Sequence, residues 1–211
     1  MQRLLPGVIA MAAIVVASNI LVQFLILDGL LTWGAFTYPF AFLVTDLMNR
    51  VYGPHAARRV VFVGFVAGIL CSLIGSQIML QGDGYEYAAV ALRVAVGSGI
   101  AFLTAQLVDV FIFDRMRQGV WWRAPLASSV VGSALDTALF FTIAFSASIT
   151  LFPASANEEI SWAWEAVPLM NIGGLYPLWV SLAIADWMVK MTLALIALIP
   201  FRIAVGKILQ P

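Results

Sequence analysis

The sequence predicts an all-α, polytopic membrane protein in which six transmembrane helices form a single domain over residues 1–211, with both termini in the cytoplasm. Composition is the first observation behind this prediction: 63% of the 211 residues are hydrophobic and only 10% are charged, whereas soluble domains carry about 25% charged residues. The second observation is that the apolar residues gather into six runs. Each run is near the ~20 residues that cross a bilayer core of ~30 Å.

Short connectors separate the six spans and leave no room for an extramembrane domain. The first apolar run starts at Leu4 and has no small-residue cleavage site leading into a soluble chain, so we interpret it as a span rather than as a signal peptide. The second run is the weakest because Pro39 and Asp46 lie inside it. The last two are long enough to tilt or to extend beyond the bilayer. In chain order the predicted spans are 4–27, 35–51, 60–80, 88–113, 124–152 and 168–200.

Charged residues in the connectors orient these spans. With both termini in the cytoplasm, nine of the eleven Lys and Arg residues fall in cytoplasmic segments, and the other two, Arg93 and Lys190, lie within spans. The outer connectors carry acidic residues and no Lys or Arg. This asymmetry follows the positive-inside rule and favours an even number of spans. The nine cytoplasmic residues are Arg3, Arg50, Arg58, Arg59, Arg115, Arg117, Arg123, Arg202 and Lys207.

Small residues recur at helical spacing in three of the spans. Such stripes allow helices to approach closely, so they predict tight packing within the bundle, with a homo-oligomer face as the alternative use. The stripes are Gly64–Gly68, then Gly97, Ala101 and Ala105, then Ser129 and Ser133; an Ala13/Ala17 pair on the first span is a weaker docking candidate.

Six ionisable residues inside the apolar runs are the main candidates for function: Asp46, Arg93, Asp109, Asp136, Asp186 and Lys190. A charge at the centre of a bilayer costs at least ~2.5–3.5 kcal/mol on insertion scales, so such residues usually line a cavity, pair with each other or contact a polar cargo. Four carboxylates and two cations leave a net charge of −2. Protonation, a cotransported cation or a cationic cargo would compensate it.

Each of these residues also has a structural interpretation. Asp186 and Lys190 are four residues apart and share a helix face, which suits an ion pair as well as a site. Asn19 and Gln23 have the same spacing, and amides also associate helices. Asp136 has the strongest functional case because it lies in the middle of the fifth span. Arg93 lies near an outer end, from which it can snorkel.

Asp46 and Asp109 lie near the cytoplasmic boundary, within reach of basic residues on their own helices. Local pairing of Asp46 with Arg50, and of Asp109 with Arg115, is their simplest interpretation.

The sequence lacks the motifs of P-loop ATPases, of zinc metalloproteases and of Cys/His metal sites. It has no GxxxxGK[ST] phosphate loop, no HExxH motif and no metal-spaced Cys/His cluster. Its single histidine, His55, falls in a connector, and its single cysteine, Cys71, lies in an apolar run. The formal net charge is zero, so no basic face indicates nucleic acid. We therefore expect no enzyme, no cofactor and no metal site.

Four segments together resemble one family, the queuosine precursor transporters of bacterial inner membranes. The most specific are TD-x3-R-x2-G at residues 45–53 and WW-x-AP-x-AS at residues 121–128. The wider similarity takes in SNILVQ at 18–23, residues 32–59, AQLVDVFIFDRMRQGVWWRAPLASS at 105–129, ALDTALFFTIAF at 134–145 and the Asp186/Lys190 pair; residues 146–175 resemble no part of the family.

The resemblance implies a cell inner-membrane importer of 7-cyano- or 7-aminomethyl-7-deazaguanine, the bases that feed salvage of the tRNA nucleoside queuosine. A coupling proton or cation is the expected partner beside the base and the lipid bilayer. Two alternatives stay open: a substrate-binding subunit of an energy-coupling transporter, and a membrane protein whose polar residues only hold helices together. The expected pocket is mid-membrane, with Asp136 as the main contact, Asp46 and Asp109 at the cytoplasmic mouth, and Arg93 on the outer side.

Aromatic rings such as Phe42, Phe140 or Trp179 would stack on the base. The candidate substrate-binding residues are Asn19, Gln23, Asp46, Arg93, Gln106, Asp109, Asp136, Phe140, Asp186 and Lys190.

Overall fold

The computed structural model describes residues 2–21, 25–26, 31–82 and 85–209, and the protein is mostly helical over these ranges. Helices α1 to α8 are Leu5–Leu21, Gly34–Thr37, Phe40–Tyr52, Pro54–Gly75, Leu92–Met116, Arg123–Phe145, Ala154–Glu158 and Leu178–Leu209. Strands β1 to β6 are Leu25–Ile26, Leu31–Thr32, Met79–Gly82, Tyr85–Ala88, Ala166–Pro168 and Leu175–Pro177. Short 3₁₀ turns occupy Gln2–Leu4, Ser161–Trp164 and Leu169–Asn171.

The predicted all-α class is confirmed as a mostly helical protein, and a two-stranded antiparallel hairpin lies at each of three connectors. β1 pairs with β2, β3 with β4 and β5 with β6. In the second hairpin Met79 lies opposite Ala88 and Gly82 opposite Tyr85. All three hairpins lie at connectors that the charge pattern assigns to the outer side, and they extend into the ends of the neighbouring predicted spans. They lengthen these turns without adding a layer to the helical bundle.

Four helices are long and apolar enough to cross a membrane, namely α4, α5, α6 and α8. The remaining two predicted spans are shorter. α1 has 17 residues, about 26 Å at 1.5 Å per residue. The other lies over α2 and α3, which are separated at Tyr38 and Pro39. Where six spans were predicted, the described residues thus show four full-length helices, one shorter apolar helix and one interrupted segment.

The interruption between α2 and α3 is a kink. Proline has no backbone N–H and cannot continue the i→i−4 ladder. Tyr38 (φ −59°, ψ −39°) and Pro39 (φ −59°, ψ −21°) nevertheless keep right-handed helical dihedrals. The ladder tightens there, since Ala41 N donates to Tyr38 O at 2.9 Å and Phe42 N to Pro39 O at 3.2 Å. The chain thus bends while it continues as one segment.

Several predicted boundaries differ from the helix ends, three of them for clear local reasons. α4 begins at Pro54 rather than at residue 60, because Gly53 (φ +84°) ends α3 and proline suits the first turn of a new helix. α8 begins at Leu178 rather than at residue 168, because the third hairpin occupies the intervening chain. α6 ends at Phe145 rather than at residue 152, since Ser146 is already extended.

Small residues set the distances between helices. A Cβ on Gly97 of α5 would lie 3.2 Å from the backbone N of Ala144 on α6, so these two helices cross closely. A Cβ on Gly132 of α6 would lie 2.8 Å from Phe42 of α3 and 3.3 Å from Asp109 Cβ on α5. The predicted small-residue stripes on α5 and α6 therefore face other helices. This close packing brings α3, α5 and α6 together around a common interior.

Side-chain contacts group the helix ends. At one end Arg50 donates to the carbonyl of Arg117, Arg117 donates to Asn49 O at 3.3 Å, and Arg202 lies 4.6 Å from the Trp121 ring centre. The C-termini of α3, α5 and α8 and the start of α6 meet there. The opposite end holds the C-terminus of α6, where Trp164 Nε1 donates to Phe145 O at 2.6 Å.

Candidate functional site

One face of α6 carries most of the polar groups in the interior. Its buried positions recur at helical spacing and include only small or polar residues over three turns, because larger side chains would separate α6 from α3 and α5. These buried positions are Pro125, Ser128, Ser129, Gly132, Ser133, Asp136 and Thr137. The two ends of this stripe meet two different sets of charges.

At the C-terminal end of the stripe, Lys190 of α8 binds two aspartates. Its Nζ lies 2.7 Å from Asp136 Oδ2 and 2.5 Å from Asp186 Oδ2, and it donates to Thr137 Oγ1 at 3.1 Å. Thr137 in turn donates to Asp186 Oδ2 at 2.8 Å, and Tyr38 OH donates to Asp136 Oδ1 at 3.0 Å. We call these five residues the lysine cluster. The expected pairing of Asp186 with Lys190 is present, and Asp136 is added to it.

The lysine cluster is well satisfied but not electrically balanced. Lys190 is 4% exposed and Asp136 is 3% exposed, and all three ammonium hydrogens have protein acceptors. A buried ion pair is costly to desolvate unless its remaining hydrogen-bonding groups are also satisfied. With both carboxylates ionised, the cluster carries one negative charge in excess. The two carboxylates hold the Lys190 ammonium in the interior.

Near the N-terminal end of the stripe lie two aspartates that form no ion pair with a described residue. Asp46 of α3 accepts from Ser128 Oγ at 3.1 Å and from Ser129 Oγ at 3.4 Å. Asp109 of α5 is fully buried, and neither of its oxygens has a hydrogen-bond partner among the described residues. Asp109 Cβ lies 3.3 Å from the Cβ position of Gly132, one turn along α6 from Ser128, which binds Asp46, so both aspartates border the same stretch of α6. We call Asp46 and Asp109 the aspartate pair.

The local pairing expected for these two aspartates is wrong. Arg50 turns away from Asp46 and donates to the carbonyl of Arg117. Arg115 lies over the Phe111 ring at 5.0 Å rather than against Asp109. Sequence proximity favoured these pairs, but both arginines lie at the helix ends while the carboxyls point into the bundle.

Gln106 and Asn49 extend the polar interior between α3 and α5. Gln106 is fully buried, and its Oε1 accepts from Thr45 Oγ1 at 2.6 Å. Asn49 is also fully buried and donates to Val110 O at 3.0 Å. Gln106 Nε2 and Asn49 Oδ1 have no hydrogen-bond partner in the described part of the chain. Together with Asp109, these atoms concentrate unsatisfied polarity at one helix interface.

A cleft between α3, α6 and α8 connects the two clusters. Residues of α3, α6 and α8, together with Pro39, form its walls. Its polar wall contains Asp46, Ser129, Ser133 and Lys190. The apolar wall consists of Pro39, Phe42, Leu43, Pro125, Ala194, Ala197, Leu198 and Phe201.

A second cleft of about 290 Å³ lies on the other side of Tyr38. Its wall is formed by α1, α4 and α5 and contains several small residues, among them Gly64, Ser72 and Ser98. No ionisable side chain other than Tyr38 lines it in the described chain. Because Tyr38 donates to Asp136, this ring separates the second cleft from the lysine cluster.

Arg93 is not brought to either cluster. Its guanidinium is fully buried and donates to Ile143 O at 2.9 Å, Ser146 O at 2.7 Å and Asn157 Oδ1 at 2.8 Å. The carbonyls at a helix C-terminus are unsatisfied and attract cations. Arg93 thus caps α6 and attaches it to α7.

Two further candidates, Phe140 and Trp179, stand apart from the cleft. Phe140 packs in an apolar cluster near the outer end, 5.1 Å from Phe141 and 5.9 Å from Phe145 between ring centres. Trp179 packs against the same cluster. The side chain of Asn19 and the whole of Gln23 lie outside the described residues. Of the three aromatic residues expected to stack, Phe42 is the one that lines the cleft.

Tyr38 and the two serines at 128 and 129 are the functional candidates that the sequence argument missed. The serines did carry a signal, since Ser129, Ser133 and Asp136 follow one another at helical spacing on one face. Tyr38 carried only a weak one, its place before Pro39, where a helix is expected to bend. No group of three or more His, Cys, Asp or Glu side chains suited to a metal ion occurs in the described ranges.

The chain is similar to one family model and to several known proteins. A family model described as "Putative vitamin uptake transporter" matches residues 32–205. The "Queuosine precursor transporter" of Escherichia coli (strain K12) is 39% identical over 157 residues, which cover 70% of this chain and 71% of that protein. No solved structure matches this chain.

Two further relatives have related names. The "Probable queuosine precursor transporter" of Haemophilus influenzae is 32% identical over 176 residues, 80% of this chain and 66% of that protein. A protein of the same name from Bacillus subtilis is 26% identical over 192 residues, 84% of this chain and 72% of that protein.

Proposed function

Because this chain belongs to the vitamin uptake transporter family, whose model spans residues 32–205, we propose that it imports queuosine precursors, the 7-deazaguanine bases, for salvage into tRNA. It is a transporter and not an enzyme. The names of its relatives support the cargo. The observation that carries the proposal is the cleft that joins Asp46 to Lys190 in the interior of the helical bundle.

The membrane arrangement is part of this proposal. Six spans, with α1 and the kinked α2–α3 segment added to the four long helices, cross the inner membrane. Both termini then lie in the cytoplasm, together with the end of the bundle that carries Arg50, Arg117 and Arg202. The grouping of these arginines at one end supports that orientation by the positive-inside rule.

Chemical complementarity supports placing the base in the cleft. A guanine-like edge carries adjacent N–H donors, and a carboxylate accepts two such bonds, as acidic side chains do when they read base edges. Asp46 is the carboxylate on the cleft wall, and Lys190 offers a cation for a carbonyl oxygen. Phe42 offers a ring face for stacking. The base then lies along the cleft between α3 and α8.

Asp136 acts in this arrangement mainly through Lys190. Both of its oxygens are engaged, one by Tyr38 and one by Lys190, and it does not line the cleft. We therefore assign direct contact with the base to Asp46, whose carboxylate can accept further hydrogen bonds beside those of Ser128 and Ser129. Lys190 acts on the base through its charge on the cleft wall, and Asp136, Asp186 and Thr137 position it. This replaces Asp136 as the main contact.

A salvage assay tests the function. A bacterial strain unable to make the precursor is given this gene and micromolar 7-cyano-7-deazaguanine, and queuosine in its tRNA is measured. Queuosine should return only when gene and base are both present. Unmodified tRNA, with the protein found in the membrane, would refute the proposal.

Binding to purified variants tests the site. Asp46→Asn should weaken binding of 7-cyano-7-deazaguanine by about 10- to 100-fold, because one partner of a buried, charge-assisted hydrogen bond is lost. Asp114→Asn is the matched control, since Asp114 lies at the end of α5 and pairs only locally with Arg117 at 3.3 Å. Equal affinities of the two variants would remove Asp46 from the site.

A further inference from the structure

The aspartate pair holds buried charge that the substrate site does not explain. Asp109 is fully buried and does not line the cleft. Its two oxygens have no hydrogen-bond partner among the described residues, and Gln106, one turn earlier on the same helix, has an unpartnered Nε2. An interior with this much unsatisfied polarity persists where another ligand completes it.

The pair has no counter-charge in its surroundings. Of the cations in the described chain, Lys190 is bound to Asp136 and Asp186, and Arg50 donates to a backbone carbonyl. The groups that α6 presents to the pair are the hydroxyls of Ser128 and Ser129. Two neighbouring carboxylates in a dry interior do not both ionise, so they share a cation.

The ligand set of the pair suits a proton rather than a metal ion. Hard cations such as Ca²⁺ take six to eight oxygen ligands, whereas the described residues contain no group of three or more metal-binding side chains. Both oxygens of Asp46 already accept from serine hydroxyls. Two carboxyls and two serine hydroxyls are a set that suits one shared hydrogen better than a shell of six to eight oxygen ligands.

We propose that the aspartate pair is the proton-carrying site of transport, in which Asp109 carries one proton and donates a hydrogen bond to Asp46 while the base is bound. The proposal rests on the import function proposed above. Asp46 remains an acceptor for the base edge because the proton resides on Asp109. Asp46 lines the cleft, so the proton enters and leaves through the same opening as the base. Per cycle one proton moves from the outer medium to Asp109 and then to the cytoplasm, and the base is unchanged.

Transport by purified protein in liposomes tests this assignment. The probe is 7-cyano-7-deazaguanine, which is neutral, and the membrane potential is clamped at zero. An inward proton gradient of one pH unit should concentrate the base by about tenfold, the limit for one proton per base. A protonophore should abolish the accumulation. Base-for-base exchange at equal pH needs no net proton movement, so the protonophore should leave its rate unchanged.

Asp109→Asn separates the two activities. This variant should lose the gradient-driven accumulation while its exchange stays within about threefold of wild type, since exchange leaves the pair in one protonation state. Asp114→Asn, on the same helix, should keep both activities. Wild-type-like accumulation by Asp109→Asn would overturn the assignment.

If Asp109→Asn does not fold, the same two assays on wild-type protein still test whether transport is coupled to protons. Exchange without gradient-driven accumulation would overturn proton coupling and leave the import function standing. Accumulation driven by a sodium gradient, or seen only after ATPase subunits are added, would also overturn proton coupling and leave the import function standing. Absence of exchange as well would remove the import function on which the inference rests.

Discussion

Lys190 uses all of its ammonium hydrogens on protein oxygens inside the bundle. Its acceptors are Asp136, Asp186 and Thr137, and its side chain is almost completely buried. A cation held this way is rigid, which suits a group that presents charge to a ligand. It also makes the fold dependent on the cation, because each carboxylate would be left uncompensated without it.

Removal of this cation should therefore destabilise the protein strongly. Lys190→Met should lower the free energy of unfolding by about 3–5 kcal/mol, the usual cost of breaking a buried ion pair. Adding Asp136→Asn to Lys190→Met should recover part of the loss, because one uncompensated charge is removed with it. Thermal unfolding in detergent measures both. A double variant less stable than Lys190→Met would contradict the pairing.

The Tyr38 hydroxyl should contribute at the same site by a smaller amount. Tyr38→Phe keeps the ring, which packs edge-on against Phe42 and Phe102, and removes the donor to Asp136. A hydrogen bond to a charged group is worth about 1.5–3 kcal/mol, so the melting temperature should fall. Tyr176→Phe, at a half-exposed ring, is the control and should have no effect. Equal melting temperatures would show that the hydroxyl contributes nothing.

Gly132 sets the approach of α6 to α3 and, together with Gly97, its approach to α5. Gly132→Ala should destabilise the bundle by about 1–3 kcal/mol, the typical cost of overpacking, because the new Cβ would meet Phe42 at 2.8 Å. Gly206→Ala is the matched control on α8. Nothing lies within 4 Å of its Cβ position, so it should be neutral or stabilising. The same loss at both positions would contradict close packing at Gly132.

Arg93 should behave as a structural residue of the outer end. Arg93→Met leaves the carbonyls of Ile143 and Ser146 and the amide of Asn157 without their donor. Stability should fall by about 2–4 kcal/mol, since a buried charge-assisted network is lost. The affinity of the folded fraction for 7-cyano-7-deazaguanine should stay unchanged. A selective loss of affinity at normal stability would return Arg93 to the binding site.

Helical elements were largely predictable from the sequence, and their ends were not. Hydropathy located all four full-length helices, because a long apolar run needs no tertiary information. The boundaries failed where local chemistry overrode hydropathy. Gly53 and Pro54 placed a helix junction inside a charged segment, and the third hairpin absorbed apolar residues 168–177 that were counted as span. Pro39 bent its segment, as its missing N–H requires.

At the scale of the whole molecule, the polar residues were predictable one by one but their partners were not. Lys190 and Asp186 share a helix face, so their pairing follows from spacing. Lys190 and Asp136 are 54 positions apart, and Asp46 and Ser128 are 82 apart, so only the packing of α3, α6 and α8 brings them together. Expected partners such as Arg50 were nearer in sequence and lie elsewhere in the fold.

The central claim is that the base occupies the cleft between α3, α6 and α8. Cysteine protection tests it directly, because the chain has one native cysteine, which Cys71→Ser removes. In that background Ala194→Cys places a thiol on the cleft wall, and Ser98→Cys places one in the second cleft.

The measurement is the rate at which a small methanethiosulfonate reagent labels each thiol, with and without saturating 7-cyano-7-deazaguanine. The account predicts that the base slows labelling of Ala194→Cys by about tenfold or more, as expected when a ligand at about ten times its Kd covers the thiol, and leaves Ser98→Cys unchanged. Protection of Ser98→Cys with none at Ala194→Cys would place the base in the other cleft and contradict the account.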